Sequence, residues 1–276
     1  VKQLMVRADA APNHVALSYR DGDSFTPVST EALWKTVQEL AAGLVALGIE
    51  RGDRVALHSA TRIEFTYFDY AIWAAGAATT TIYETSSADQ VKWILQDSGA
   101  KALISEGAST LAAYDEIKDD VGTEHVFVID DDAVAVISAM ATDESRAEVK
   151  ARIDAITHDD LATLVYTSGT TGMPKGCMLT HGNFVWEVSQ VSDQMHVLFT
   201  DDNRTLFFLP LAHIFARLAQ AACVSNGVLI AYSSGIPNLL EELPMVKPTW
   251  VFSVPRVFEK IYNGAKAKAD GEGKGS

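Results

Sequence analysis

Leu161-Ala-Thr-Leu-Val-Tyr-Thr-Ser-Gly-Thr-Thr-Gly-Met-Pro-Lys-Gly176 is the stretch on which the reading of this chain turns. Its first part, Leu161–Tyr166, is a short apolar run of the kind a buried strand needs. The rest, Thr167–Gly176, carries three glycines, one proline, four hydroxyl side chains and one lysine. So little bulk lets backbone N–H groups face outward, and N–H groups, hydroxyls and one cation together suit a polyphosphate. Clusters of Gly, Ser and Thr are also the ordinary composition of solvated turns. Lys175 sets this cluster apart: it stands between Pro174, whose ring stiffens the chain before the charge, and Gly176. The loop is not a Walker A, because no hydroxyl residue follows the lysine to take up magnesium.

Upstream, the pattern alternates. Ser29 or Thr30 caps a predicted helix that runs to Leu47, where Gly48 stops it; Leu33, Val37, Leu40, Ala41, Leu44 and Leu47 fall on one stripe. Strands are predicted at 54–58, 78–83, 102–104 and 126–129, with helices at 63–75 and 88–96 between them. Downstream, a helix is expected from near Asn183, a strand at 205–209, a helix at 213–223, and strands at 228–231 and 248–253. Pro255 suits the first turn of a final helix. Strands alternating with helices predict an α/β fold of mostly parallel sheets flanked by helices. The acidic segment 133–160 shows no strong core stripe after Met140 and reads as a surface connection or a linker. The tail 265–276 reads as a fraying helix end.

The 276 residues are 48% hydrophobic and 21% charged, enough for a sizeable core. The formal net charge of −14 opposes binding to nucleic acid and anchoring on anionic membranes. An anionic ligand would need local cations against that field, and Lys175, Arg217 and Arg256 are the candidates. Cys177 and Cys223 are too few for a disulfide framework or a zinc site and are expected as small buried hydrophobes. No signal-type or membrane-spanning apolar run is present, so a cytoplasmic protein is expected, with its natural start upstream of Val1.

The segment Tyr166–His181 resembles the phosphate-binding signature of adenylate-forming enzymes: acyl-CoA synthetases, peptide-synthetase adenylation domains and luciferases. Leu209-Pro-Leu-Ala-His-Ile-Phe-Ala-Arg217, Ser253–Tyr262, Ser59–Glu64 and Tyr83–Ser87 are similar to segments of the long-chain fatty acid–CoA ligases, above all the actinobacterial branch. The resemblance implies the large N-terminal domain of an adenylating enzyme, layered αβαβα and incomplete at its C-terminus. It implies activation of a fatty carboxylate by ATP as an acyl-adenylate, with transfer to CoA; a ligase that loads a carrier protein and a nucleotide-binding piece without turnover stand as alternatives. It further implies a chain about twice as long. A magnesium-holding glutamate, a ribose-holding aspartate and a small domain with a catalytic lysine would then lie beyond this sequence, and 1–276 alone would be inactive.

The same resemblance assigns roles. Thr167, Ser168, Gly169, Thr170, Thr171, Gly172 and Lys175 surround the β- and γ-phosphates of ATP. The Thr167 hydroxyl faces magnesium or is a plain strand-end group. His213 stands beside the acyl carbonyl and α-phosphate, and with Lys175 it forms the catalytic pair. Arg217, one helical turn after His213, is either a site cation or the partner of a carboxylate. His181 is expected in packing or capping rather than chemistry. Trp186, Phe207, Phe208 and Phe215 line an acyl tunnel or belong to the core. Arg256 and Tyr83-Glu84 mark the branch without a derived role. Fatty acid, ATP and CoA are the implied partners, and loose attachment to membranes follows from a lipid substrate.

Overall fold

The computed structural model describes residues 1–167, 173–255, 257–259, 262–264 and 266. In chain order it contains α1 (Lys2–Ala10), β1 (Val15–Asp21), β2 (Ser24–Ser29), α2 (Thr30–Ala46), β3 (Arg54–His58), α3 (Ile63–Ala74), β4 (Ala78–Ile82), α4 (Ala88–Ser98), β5 (Ala102–Ser105) and α5 (Ala108–Asp115). Then follow β6 (His125–Val128), α6 (Ala133–Ser138), α7 (Asp143–Ala155), β7 (Leu161–Thr167), β8 (Lys175–Thr180), α8 (His181–Gln194), β9 (Arg204–Phe207), α9 (Ile214–Asn226), β10 (Leu229–Tyr232) and α10 (Leu239–Val246).

Two sheets form, with strand orders β2-β1-β10-β9 and β6-β5-β3-β4-β7-β8. All pairings are parallel except β1–β2 and β7–β8, each an antiparallel pair at a sheet edge. Helix α3 lies between the sheets and touches β1 on one side and β3 and β4 on the other. Nearly all its residues are buried, because neither face meets water. Helices α4 and α5 cover the outer face of the larger sheet, while α10 lies against β2 and β9. The result is the layered αβαβα arrangement implied above.

Helix α2 keeps its expected stripe: Leu33, Val37, Leu40, Ala41 and Leu44 are buried, and the Ser29 side chain accepts from Ala32 N. Leu47 leaves the stripe as a half-buried C-cap, and Ile49 enters the core beyond it. The segment 133–160 differs from its reading. It folds as α6 and α7, packed on α2, with Ile137, Val149 and Ile153 buried. Four apolar side chains, Ala133 among them, spread over two helices make too sparse a stripe to read beside so many charges. A Cβ at Gly43 would stand 1.9 Å from the Ile137 carbonyl oxygen, so that glycine sets how closely α2 and α6 approach.

No strand forms at 248–253. Thr249 N donates to the Arg204 carbonyl at 2.9 Å, but the chain then turns away from β9. Trp250 meets Phe252 edge to face with ring centres 4.7 Å apart and donates Nε1–H to the Leu198 carbonyl, so aromatic packing replaces a ladder there. The strand β8 and the pairing of β1 with β2 were not anticipated from the pattern, since both edges carry polar or Gly/Pro-bearing residues.

One polar cluster holds the middle layer. Arg217 is completely buried, with Nε donating to Asp69 Oδ2 at 3.1 Å, Nη2 to Asp69 Oδ1 and Nη1 to Thr163 Oγ1. Thr163 donates to the Thr79 carbonyl, and Thr79 Oγ1 donates to Asp69 Oδ1, both at 2.6 Å. Beside it, Gln220, Thr66 and Tyr232 bond to one another. Arg217 is thus the partner of a buried carboxylate and is not available to a ligand, which corrects its reading as a candidate site cation. Truncating one member strands the other charge in a dry interior. Arg217→Ala should therefore lower unfolding free energy by about 3–5 kcal/mol, whereas the double change Arg217→Met with Asp69→Leu should cost far less; urea titration of the three proteins measures both.

Candidate functional site

The residues expected to form a phosphate loop border the β7–β8 hairpin. Thr167, the last residue of β7, is the register partner of Lys175, the first of β8, and both are exposed. Ser168, Gly169, Thr170, Thr171 and Gly172, which lie between them, are outside the described residues, as is Arg256. The hairpin is gripped from α4. Trp93 Nε1 donates to the Pro174 carbonyl at 2.7 Å, directly before Lys175. Tyr166 Oη donates to Asp97 Oδ2 at 2.6 Å, and its ring lies over Gly176. A Cβ at Gly176 would stand 3.0 Å from Tyr166 Cζ, so the glycine makes room for that ring. Trp93 and Asp97 are four residues apart on one face of α4 and hold both strands of the hairpin.

His213 is the N-cap of α9, exposed, with Nδ1 accepting from Phe215 N at 3.2 Å. The backbone just before it is tied to the larger sheet. Thr81 Oγ1 donates to the Ala212 carbonyl at 3.0 Å, and Thr81 is the register partner of Val165 in β7. Thr61 Oγ1 donates to the Leu209 carbonyl at 2.6 Å and accepts from Leu211 N at 3.0 Å. His213, Thr167 and Lys175 therefore gather at the end of the larger sheet where β4 and β7 finish, the end at which open α/β sheets bind ligands. Arg217, on the same helix as His213, turns inward instead.

His181 is half-buried and packs edge-on against Trp73, with ring centres 5.7 Å apart. Thr180 and Asn183 form the capping box of α8, so His181 serves packing. The four aromatics assigned to an acyl tunnel do not stay together. Trp186 is 64% exposed and Phe215 47% exposed, whereas Phe207 and Phe208 are buried. Phe207 and Phe208 border an apolar seam between α9 and β9, with Ala216, Ala219 and Phe252, too tight to admit a water molecule. Cys223 is buried as expected, but Cys177 is exposed on β8, which is an edge strand.

Sequence reasoning missed a second feature at the same end of the sheets: an open cavity of about 630 Å3. Arg62, Glu64, Glu84, Glu106, Phe208 and Ser233 are among its walls; Thr167, Lys175 and His213 are not. Arg62 bridges Glu64 and Asp130, each at 2.7 Å, and reaches Glu106 at 3.7 Å. The available signal was position: the segment beginning at Ser59 follows one predicted strand directly, and the segment beginning at Tyr83 starts on the last residue of another. Among the described residues no group of three or more His, Cys, Asp or Glu gathers as a metal would require. Among them, too, no helix is long and apolar enough to cross a membrane.

The chain matches the family described as AMP-binding enzyme over residues 4–274. It is 41% identical over 268 residues to long-chain-fatty-acid–CoA ligase FadD15 of Mycobacterium tuberculosis, an alignment covering 96% of this chain and 45% of that protein. The N-terminal domain of FACL13 from Mycobacterium tuberculosis shares the fold, with a TM-score of 0.81 at 24% identity over 94% of this chain and 63% of that one. O-succinylbenzoate coenzyme A synthetase (MenE) from Bacillus subtilis, solved in complex with AMP, superposes with a TM-score of 0.78 at 25% identity over 96% of this chain and 51% of that one. The chain belongs to the AMP-binding enzyme family. It spans about half the length of the ligase relatives it matches.

Two histidines predict acid sensitivity. His58 is fully buried, and burial, which outweighs a backbone contact with Tyr83, pushes its pKa down to about 4. Burial also lowers His181 to about 4. The unfolded chain binds these protons near pH 6.5 while the folded chain refuses them until about pH 4. Stability is complete above pH 6.5 and falls as the pH drops toward 4, by about 3 kcal/mol for a group like His58. Urea midpoints between pH 7.5 and 4.5 should fall steadily, and less steeply in His58→Leu.

Proposed function

We propose that this chain carries the nucleotide-activating part of an ATP-dependent long-chain fatty acid–CoA ligase. The observation that carries the reading is the β7–β8 hairpin, which sets Thr167 opposite Lys175 at the sheet end where His213 also lies. Family membership and the 41% identity to a long-chain-fatty-acid–CoA ligase support the reaction class.

In the first step a carboxylate oxygen of the fatty acid attacks the α-phosphorus of ATP. The bond to the bridging oxygen breaks and pyrophosphate leaves, giving an acyl-adenylate. In the second step the CoA thiol loses its proton and attacks the acyl carbon; the carbon–oxygen bond breaks and AMP departs. Phosphoryl substitution of this kind needs placement and charge neutralisation more than covalent help from the protein. Lys175 supplies a compact positive charge at the loop's exit, where the departing phosphates gain negative charge. Thr167, Ser168, Gly169, Thr170, Thr171 and Gly172 are assigned to the β- and γ-phosphates through hydroxyl and backbone N–H donors. His213 is assigned to the acyl carbonyl and α-phosphate, where its free edge donates to developing charge. Magnesium fits as a nucleotide-borne ion: it keeps water and phosphate ligands and needs few from protein, and the Thr167 hydroxyl is the residue assigned to it. When bound, it would neutralise phosphate oxygens. The acyl chain is assigned to the seam between α9 and β9, which must widen to admit it. A cytoplasmic location, with loose attachment to membranes, suits a lipid substrate.

The test is ATP–pyrophosphate exchange by the complete protein with a series of fatty acids. Exchange should require the acid, and Lys175→Ala should lower its rate by roughly 10²-fold, the scale of losing one charge-stabilising donor. An unchanged rate in that variant would refute the assignment of the loop.

A further inference from the structure

We propose that Thr81 is a positioning residue for His213, acting through the Ala212 carbonyl. The proposal rests on the reading of His213 given above and extends it to a residue that touches no substrate. An N-cap side chain goes where the backbone on either side of it goes. On the helix side of His213, the backbone is held by Arg217, one turn into α9 and bonded to Asp69 and Thr163. On the loop side it is held by Thr81, whose Oγ1 donates to the Ala212 carbonyl at 3.0 Å.

Thr81 is well placed to set a distance. Its register partners are Leu57 in β3 and Val165 in β7, so it sits on a rung of the sheet next to the strand that ends in Thr167. Both Thr81 and Ala212 are buried, at 2% and 1% exposure, so water cannot replace the bond in place. A carbonyl left without its donor there makes the turn shift until another is found. His213 would then move relative to Thr167 and Lys175, whose own hairpin stays fixed by Trp93 and Tyr166. Displacements of about 1 Å are enough to slow a positioned reaction severalfold to 10²-fold. Thr81 is also an unusual choice for a fully buried central strand position, where valine or isoleucine has the same branched shape without a hydroxyl to satisfy.

The experiment uses the complete protein and fatty-acid-dependent ATP–pyrophosphate exchange, with a double-mutant cycle between Thr81→Val and His213→Ala. Thr81→Val should lower kcat about tenfold while the KM for ATP stays within about twofold. Thr81→Ser, which retains the donor, should restore kcat to near the unmutated value. In the His213→Ala background, Thr81→Val should cause no further loss, because the side chain it positions is gone. Losses that add in the double variant would overturn the positioning role and leave the assignment of His213 standing. Exchange undiminished by His213→Ala would overturn that assignment and this inference with it. Circular-dichroism melting checks that each variant is folded. Should Thr81→Val not fold, Thr81→Cys carries the same cycle, since its thiol is a weak donor of nearly equal volume.

Discussion

A guanidinium without water around it is the constraint on which the arrangement depends. Arg217 is completely enclosed, yet its donors are taken by both oxygens of Asp69 and by the Thr163 hydroxyl, with Thr79 closing the ring. The cluster joins α9 to α3, β4 and β7. An apolar contact tolerates sliding by an ångström or more, but a buried forked ion pair does not, because any displacement leaves charge unpaired at low dielectric. The polar cluster thus keys the position of α9 against the larger sheet. His213 at the head of that helix and Thr167 at the end of β7 inherit their relative placement from it.

The electrostatics follow a matching logic. A chain of net charge −14 that is proposed to take anionic nucleotides cannot rely on its overall field. It needs discrete cations at chosen points. Of the candidates named from the sequence, Arg217 is committed to the interior and Lys175 stands exposed at the start of β8. Arg62 is surrounded by Glu64, Glu106 and Asp130 in the wall of the open cavity. Arg20, the other arginine of its wall, is paired with Glu241 and Glu242. That cavity is therefore poorly suited to a phosphate in spite of its two arginines.

Much of the fold was readable in advance because its signals are local. The stripe of α2, the strands β3, β4, β5, β6 and β7 and the helices α3 and α4 announce themselves by period, by β-branched runs and by capping residues. What escaped notice depends on partners. The edge strand β8 has an apolar run of only three residues, Cys177–Leu179, and is held by the ladder that β7 offers it. The stretch 248–253 has a strand-like composition but packs Trp250 and Phe252 against Phe199 instead of pairing along β9. The helices α6 and α7 bury only a few side chains each, too few to stand out from an acidic background.

The sequence by itself determined the family, the alternation of strands and helices and the chemical character of the hairpin loop, since each is written in short runs of neighbouring residues. Only the tertiary structure decided which polar residues were free to act. Arg217 and His213 lie one turn apart on the same helix, and no local rule tells which faces water. The choice was made by Asp69, far away in sequence, which is buried where it must have a cation. Pairings between distant residues are set by packing, and packing is not legible until the chain has folded.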